Sequence, residues 1–183
     1  MRGTLETIVG AMFAGKTSEL LKRILWAKHQ KKKILVIKPN IDNRYSEKLI
    51  VTHNNLSHEC YSMQNWNLAK SNYTFIKKNY DIIFFDEIHF MEPTETISNI
   101  ENILNEGINV VCAGLDQDSR GKPWETSSFL LALSDKITKI SGFCNVCGME
   151  ATKTFRKKEG GKRTQVGAAN IYEPRCLKHW VPQ

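Results

Sequence analysis

The segment that most constrains this chain is a run of eight residues that fits the pattern G-x-x-x-x-G-K-T: Gly10, Ala11, Met12, Phe13, Ala14, Gly15, Lys16 and Thr17. An apolar run at residues 5–9 precedes it, and apolar residues at helical spacing follow it. A strand, a glycine-containing loop and a helix in this order form a phosphate-binding loop, because the loop N–H groups and the helix N-terminus attract phosphate oxygens. Lys16 can then reach the β- and γ-phosphates, and the Thr17 hydroxyl can bind Mg²⁺. The segment predicts a nucleoside triphosphate site.

Further apolar runs predict strands that are buried on both faces of a sheet. They cover residues 33–37, 81–86, 108–113 and, more weakly, 137–140. Apolar residues at helical spacing predict a helix over residues 93–105, closed by Gly107. Continuous apolar strands separated by helices are typical of a parallel sheet. We therefore expect an α/β fold with a P-loop, RecA-like parallel sheet core over residues 1–141, in which the polar residues 40–56 form a long loop or a hairpin.

Composition and charge narrow the function classes. No apolar stretch approaches the roughly 18 residues that a membrane span requires, and the first strand begins too early to leave room for a signal peptide. We therefore expect a cytoplasmic protein that is not in a membrane. The chain has a net charge of +7, and residues 141–183 contain 8 basic against 3 acidic residues. Such a basic region fits a nucleic-acid surface and a loop that closes over phosphates equally well.

Two acidic residues, Asp86 and Glu87, end the apolar run that starts at residue 81. Alone, they would be interpreted as a solvated strand end. Beside a phosphate-binding loop, the Asp can hold Mg²⁺ and the second carboxylate can accept a proton from an attacking oxygen. Together with His89 the segment also matches the D-E-x-H pattern of helicases. A helicase needs a second ATPase lobe, for which this chain is too short.

Four potential metal ligands form two close pairs near the end of the chain: Cys144, Cys147, Cys176 and His179. A Cys₃His set without an open position is typical of structural zinc. The five cysteines are an odd number, which argues against a disulfide framework. We predict a zinc-containing lid subdomain over residues 142–183, a segment too small to bury a core of its own. The segment 155–167 between the pairs, which is rich in Lys and Arg, is interpreted as a mobile lid or as a disordered loop.

The chain resembles the type II thymidine kinases along nearly its whole length. Besides the phosphate-binding loop and the Cys₃His spacing, the resemblance rests on four segments: D-N-R-Y at 42–45, D-E-I-H-F at 86–90, L-D at 115–116 with K-P-W at 122–124, and G-A-A-N-I-Y at 167–172. It implies transfer of the γ-phosphoryl group of ATP to the 5′-hydroxyl of thymidine or deoxyuridine in nucleotide salvage.

The resemblance assigns one group of residues to ATP, Mg²⁺ and the phosphates: the loop residues 10–17, Asp42, Arg44, Asp86 and His89. Within this group Thr17 and Asp86 would hold Mg²⁺, Lys16 would stabilise the transferring phosphoryl group, and Arg44 would compensate the developing charge. Glu87 would be the general base on the 5′-hydroxyl.

A second group is assigned to the nucleoside: Met12, Phe90, Leu115, Ser119, Thr154, Arg163, Thr164, Gln165, Val166, Gly167 and Tyr172. Met12 and Thr154 would flank the 5-methyl group of the base, between apolar walls. The backbone of residues 163–167 would hydrogen-bond the pyrimidine edge. The chain departs from the family at Ser119, where Phe is usual, and Arg120 or Trp124 would fill that space.

The resemblance also implies a homotetramer and feedback inhibition by thymidine triphosphate. Structural zinc, Mg²⁺ and ATP as phosphate donor are the implied cofactors. The alternative from another class is a nucleic-acid-stimulated P-loop ATPase with a zinc ribbon. The chain length and the lack of aromatic residues interleaved with the basic stretch argue against a nucleic-acid partner.

Overall fold

The computed structural model describes residues 1–41, 48–52, 56–63, 70–157, 160, 163 and 169–182. Its α-helices are α1 (Lys16–His29), α2 (Lys70–Asn79), α3 (Pro93–Asn105) and α4 (Glu125–Leu133), with a short 3₁₀ helix at Ile88–Phe90. The first eight strands are β1 (Leu5–Gly10), β2 (Ile34–Pro39), β3 (Leu49–Val51), β4 (Ser57–Glu59), β5 (Tyr61–Met63), β6 (Ile82–Phe85), β7 (Asn109–Gly114) and β8 (Lys136–Ile140). Four short strands follow: β9 (Gly142–Phe143), β10 (Glu150–Ala151), β11 (Lys153–Arg156) and β12 (Tyr172–Arg175).

Six of the strands form one sheet in the order β5-β2-β6-β7-β1-β8, and every neighbouring pair is parallel. The predicted α/β fold with a parallel sheet is therefore confirmed. In the register, Val9 lies opposite Gly114 of β7 and Lys139 of β8. All six strands thus end at the same edge of the sheet, which is where ligands bind in open α/β folds.

The central strands contribute side chains to both faces of the sheet, because successive residues of a strand point in opposite directions. Phe85 packs with Ile100 of α3 on one face. Phe84 packs with Leu20 and Ile24 of α1 on the other face. These five side chains are at most 1% exposed, and burial of such a side chain contributes about 1.5–3 kcal/mol. The two-sided core explains why the strands are apolar throughout rather than alternating.

The predicted helix at residues 93–105 is confirmed with the same limits. Pro93 occupies its first turn, where a missing N–H costs nothing. The Glu92 carboxylate accepts hydrogen bonds from the N–H groups of Thr94 at 3.0 Å and Glu95 at 2.7 Å. Gly107, with φ 85°, follows the helix. Local sequence signals are sufficient to define this helix.

The five predicted strands correspond to β1, β2, β6, β7 and β8, whereas several other elements, among them β5, α2 and the short strands β9–β12, had no prediction. β5 has only three residues and pairs with β2 at the sheet edge, so that it lacks an apolar run. The helix α4 had not been predicted either. The hairpin expected within residues 40–56 is found slightly later, where β3 pairs with β4 in antiparallel register.

The segment 142–182 contains two small antiparallel sheets, β9 with β10 and β11 with β12. The division of the chain at residues 141 and 142 stays a prediction. Among the residues that the structure describes, no helix is long and apolar enough to cross a bilayer.

Candidate active site and metal cluster

The phosphate-binding loop lies at the carboxyl edge of the sheet, between the end of β1 and the start of α1. Gly15 has φ 92°, a conformation that glycine adopts without strain. At Gly10 a Cβ atom would lie 2.2 Å from the Ile140 carbonyl oxygen, so that only glycine fits beside β8. The Lys16 side chain is 8% exposed, and its Nζ donates to the Ala11 carbonyl at 2.7 Å. The ammonium group is therefore held across the loop.

The hydroxyl of Thr17 and the carboxylate of Asp86 meet although they are 69 positions apart. Thr17 Oγ1 donates to Asp86 Oδ2 at 3.0 Å, and the Glu87 N–H donates to Asp86 Oδ1 at 3.0 Å. Asp86 is buried and Glu87 is half-buried with φ 51°. Adjacent hydroxyl and carboxylate oxygens are the ligand type that Mg²⁺ prefers, so these two residues fit a magnesium site.

His89 lies beside Glu87 and contacts the loop that follows β7. Its Nδ1 accepts a hydrogen bond from the Leu115 N–H at 3.1 Å and lies 3.6 Å from Glu87 Oε2. Because Nδ1 is an acceptor, the ring is the neutral tautomer, and the contact with Glu87 is not an ion pair. At Gly114 a Cβ atom would lie 3.2 Å from His89 Nδ1 and 3.0 Å from Ile88 Cγ2. The glycine thus permits this close approach.

An aromatic cluster continues from His89 to Phe90 and Trp124. The Trp124 ring centroid lies 5.1 Å from that of His89 and 5.8 Å from that of Phe90, in an edge-on arrangement with Phe90. The Arg163 guanidinium lies 4.6 Å from the Trp124 ring centroid. Such cation–π contacts contribute about 0.5–2 kcal/mol.

Asp118 links Arg163 to the turn that precedes Trp124. The buried carboxylate accepts from Arg163 Nε at 2.8 Å through one oxygen, and from the N–H groups of Arg120 and Lys122 through the other. Ser119 in this turn is half-buried and Arg120 is exposed. Of the two residues predicted to replace the usual Phe, Trp124 is the one in contact with Phe90.

Two residues of the predicted nucleoside group belong to the small sheet β11–β12. Thr154 Oγ1 accepts a hydrogen bond from the Met12 N–H at 3.0 Å, so the predicted neighbours Met12 and Thr154 are in contact. Tyr172 is buried, and burial raises the pKa of its phenol. The charge of Asp118 raises that pKa further, while the charge of Arg156 opposes the shift.

The four predicted metal ligands form one cluster, with all ligand atoms within 4.8 Å of one another. Cys176 Sγ lies 3.3 Å and Cys144 Sγ 3.7 Å from His179 Nδ1, and Cys147 Sγ lies 3.8 Å from Cys176 Sγ. In a tetrahedral zinc site, Zn–S bonds of about 2.3 Å and Zn–N bonds of about 2.0 Å separate the ligand atoms by roughly 3.5–3.8 Å. The cluster therefore fits zinc.

The local environment favours a thiolate at Cys144. Burial alone would raise the pKa of this thiol, but the N–H groups of Cys176, Val146 and Cys147 and the ring of His179 lower the pKa to about 5. At Cys147 the Met149 N–H opposes the shift, whereas burial and the neighbouring cysteine sulfurs raise the pKa. A deprotonated sulfur is the form that binds metal.

A family model described as thymidine kinase matches residues 3–180 of the 183-residue chain. The chain belongs to the thymidine kinase family. It is a kinase, and the match supports thymidine kinase function with thymidine as the substrate. In the part of the chain that the structure describes, nothing favours the nucleic-acid-stimulated ATPase.

Six residues with roles implied by the thymidine kinase resemblance lie outside the described residues: Asp42, Arg44, Thr164, Gln165, Val166 and Gly167. Their assignments stay predictions, as do the roles of the other site residues.

Two further residues contact the predicted thymidine kinase site without having been predicted. Asp118 binds Arg163 as described above, and Trp180 Nε1 donates to the Thr154 carbonyl at 3.1 Å. Their positions offered a signal, since Asp118 lies inside the L-D…K-P segment and Trp180 directly follows His179.

Proposed function

We propose that the chain is an ATP:thymidine 5′-phosphotransferase, which also accepts deoxyuridine. The observation that carries this proposal is the group of Thr17, Asp86 and Glu87 beside the phosphate-binding loop. The Thr17–Asp86 distance of 3.0 Å supports a divalent-cation site, and the half-buried Glu87 lies next to it. A bare ATP-binding site would need no second carboxylate at this position.

On the donor side, the loop N–H groups and the N-terminus of α1 hold the phosphates of ATP. Lys16 stabilises the charge on the transferring phosphoryl group. Mg²⁺, held by Thr17 and Asp86, would supply charge neutralisation between the β- and γ-phosphates. Arg44 and Asp42 complete this side.

On the acceptor side, Glu87 accepts the proton of the 5′-hydroxyl as its oxygen attacks the γ-phosphorus and the bond to the β-phosphate oxygen breaks. The neighbouring His89 supports this role, because a neutral ring 3.6 Å away does not bind the carboxylate as a cation would. Glu87 thus keeps its capacity to accept a proton.

The nucleoside binds between Phe90, Leu115 and Tyr172, with its 5-methyl group towards Met12 and Thr154. The contact of these last two residues supports one pocket, formed by the phosphate-binding loop and β11. Arg163, with the backbone of residues 164–167 and the wall near Ser119, completes it. Closure of this segment excludes water, which would otherwise hydrolyse ATP.

We further propose that zinc holds the segment 142–183 together as the base of a lid. Family membership supports three other proposals: a homotetramer, feedback inhibition by thymidine triphosphate, and a cytoplasmic location. These three proposals rest on family membership alone and not on particular residue contacts.

A substrate panel tests the proposed reaction. The purified chain is incubated with ATP, Mg²⁺ and each of the four common deoxynucleosides or deoxyuridine, and the nucleoside monophosphates are quantified. We expect product from thymidine and deoxyuridine, and background levels from the others. ATP consumption that responds to single-stranded DNA but not to thymidine would support the ATPase instead.

A further inference from the structure

The phosphate-binding loop contacts the segment 142–182 at two places. The Met12 N–H donates to Thr154 Oγ1 at 3.0 Å. At Gly142 a Cβ atom would lie 3.4 Å from Ala14 Cα, so that the two backbones lie close together. Thr154 is 4% exposed, and its hydroxyl therefore makes this hydrogen bond with little competition from water. The loop is thus held from outside by a residue 142 positions away.

Thr154 is itself fixed by its neighbours. In the β11–β12 pair it lies opposite Pro174, and its carbonyl accepts from Trp180 Nε1 at 3.1 Å. The Trp180 ring packs on Gly121, where a Cβ atom would lie only 2.9 Å from Cη2. Trp180 directly follows the cluster residue His179. The acceptor for the Met12 N–H is therefore part of an ordered framework.

This contact has a consequence for triphosphate binding. It commits the Met12 N–H to Thr154 rather than to a phosphate oxygen, and it fixes the orientation of that peptide unit. The remaining loop N–H groups are then held in place before the ligand arrives. A site that is ordered in advance loses less conformational entropy on binding, which raises affinity.

We propose that Thr154 is a positioning residue for the phosphate-binding loop, with its hydroxyl holding the Met12 amide while Trp180 holds Thr154. The affinity for ATP, like the affinity for the nucleoside, then depends on how well ordered the segment 142–182 is. This inference rests on the proposed kinase function, and it adds a physical link between the two substrate sites.

Direct measurement of ATP binding without thymidine tests this link. The dissociation constant for ATP with Mg²⁺ is measured by calorimetry for wild type, Thr154→Val and Thr154→Ser. Val keeps the shape and removes the acceptor, so we expect its dissociation constant to rise about three- to tenfold, as loss of one hydrogen bond predicts. Ser keeps the hydroxyl and should bind ATP like wild type.

The opposite pattern would overturn the proposal, because a packing role would be preserved by Val and impaired by Ser. An unchanged dissociation constant for Thr154→Val would also overturn it. Thr138→Val is the matched control, since it removes a threonine hydroxyl that donates to Glu6 Oε1 and is not in contact with the loop. Its ATP affinity should equal that of wild type.

Trp180→Phe gives a second measurement should Thr154→Val fold poorly. It keeps a ring on Gly121 but removes the N–H that binds Thr154, so we expect a two- to threefold weaker ATP affinity. An unchanged affinity would contradict the role of Trp180 in holding Thr154. Thymidine phosphorylation by wild type is assayed in parallel. If it is absent, the proposed function fails, whereas the contrast between Val and Ser still decides the role of Thr154.

Discussion

The parallel-sheet core and the Cys₃His segment are stabilised in different ways. The core has two clusters of buried apolar side chains, one on each face of a six-stranded sheet. The segment 142–182 has two-stranded sheets and exposes Phe143, Val146, Met149 and Leu177. Burial of apolar side chains can stabilise the core, whereas the segment 142–182 needs another source of stabilising free energy. The comparison teaches that the residues proposed for phosphoryl transfer lie mainly on the region stabilised by burial. The segment proposed to cover the nucleoside is the one that would depend on its metal ligands.

Loss of one metal ligand should show the difference in stability between the two regions most clearly. We expect Cys176→Ser, or removal of zinc by a chelator, to unfold residues 142–182 and leave the core folded, since structural zinc supplies about 10–16 kcal/mol in small domains. The KM for thymidine should rise as this segment unfolds. Hydrogen exchange followed by mass spectrometry measures both regions in one sample.

Cys60→Ser is the control for this experiment, because it makes the same chemical change outside the cluster. It should leave the exchange of residues 142–182 unchanged. Equal protection of this segment from hydrogen exchange with and without zinc would contradict the structural role of the metal.

Glu87→Gln should remove the chemistry without unfolding either region. Glutamine keeps the shape but cannot accept the proton, so we expect kcat to fall about 10²- to 10⁴-fold. The affinities for ATP and thymidine should stay near those of wild type. Steady-state kinetics and calorimetry measure the two effects separately. Glu101→Gln, at an exposed position of α3, should be inert, and full turnover by Glu87→Gln would exclude it as the base.

The contact between Asp118 and Arg163 tests how the two regions meet. Asp118→Asn keeps the oxygen that caps the turn but loses the charge that faces Arg163, and Arg163→Met removes the guanidinium. We expect each variant to raise the thymidine KM about 5- to 30-fold, in line with about 1–2 kcal/mol for a partly buried charged hydrogen bond. The ATP KM should change little.

The double variant provides the control, because two residues that act through one contact give less than additive effects. Additive effects on the thymidine KM would show that Asp118 and Arg163 act independently. Arg163→Lys should recover only part of the affinity, since lysine keeps the charge without the planar stack on Trp124.

A half-buried ion pair between β1 and α1 gives the smallest expected effect. The Glu6 carboxylate is 14% exposed and accepts from Arg23 at 2.8 Å and Lys136 at 3.1 Å. Burial raises its pKa, but the hydrogen bonds and charges of Arg23 and Lys136 outweigh burial and lower the pKa below 4.5. Because the pKa is depressed by folding, the pair stabilises the core above pH 4.5 and loses its effect as pH falls through the lowered pKa.

Glu6→Gln should accordingly lower the free energy of unfolding at pH 7 by about 1 kcal/mol, with a smaller difference from wild type at acidic pH. Urea unfolding followed by circular dichroism at several pH values measures this. Glu106→Gln is the matched control, because its ion pair with Lys77 is exposed at both side chains. Such pairs contribute about 0–1 kcal/mol. A larger loss of unfolding free energy for Glu106→Gln than for Glu6→Gln would contradict the role of burial.

Much of the fold was predictable because its signals are contiguous in the chain. The helix at 93–105 has its own cap, and strands β2, β6 and β7 each contain an uninterrupted apolar run. The edge strand β5 was not predictable, because pairing with β2 rather than composition makes it a strand. The helix α4 was missed even though its apolar residues lie close together.

The candidate site divides in the same way. The phosphate-binding loop and the Cys₃His set are patterns of residue type at fixed spacing, and each could be recognised alone. The neutral state of His89 could not be predicted, because it depends on the Leu115 N–H 26 positions away. Asp118 had no motif of its own, and its importance comes from its burial beside Arg163.

The sequence by itself determined the parallel α/β class, the phosphate-binding loop, the four potential zinc ligands and the family, because local spacing encodes each of them. Only the tertiary structure decided which of these parts touch. The parallel register brings Thr17 to Asp86, and the packing of β11 brings Thr154 to Met12. Contacts between residues 69 and 142 positions apart depend on how whole elements pack, and no local pattern contains that information.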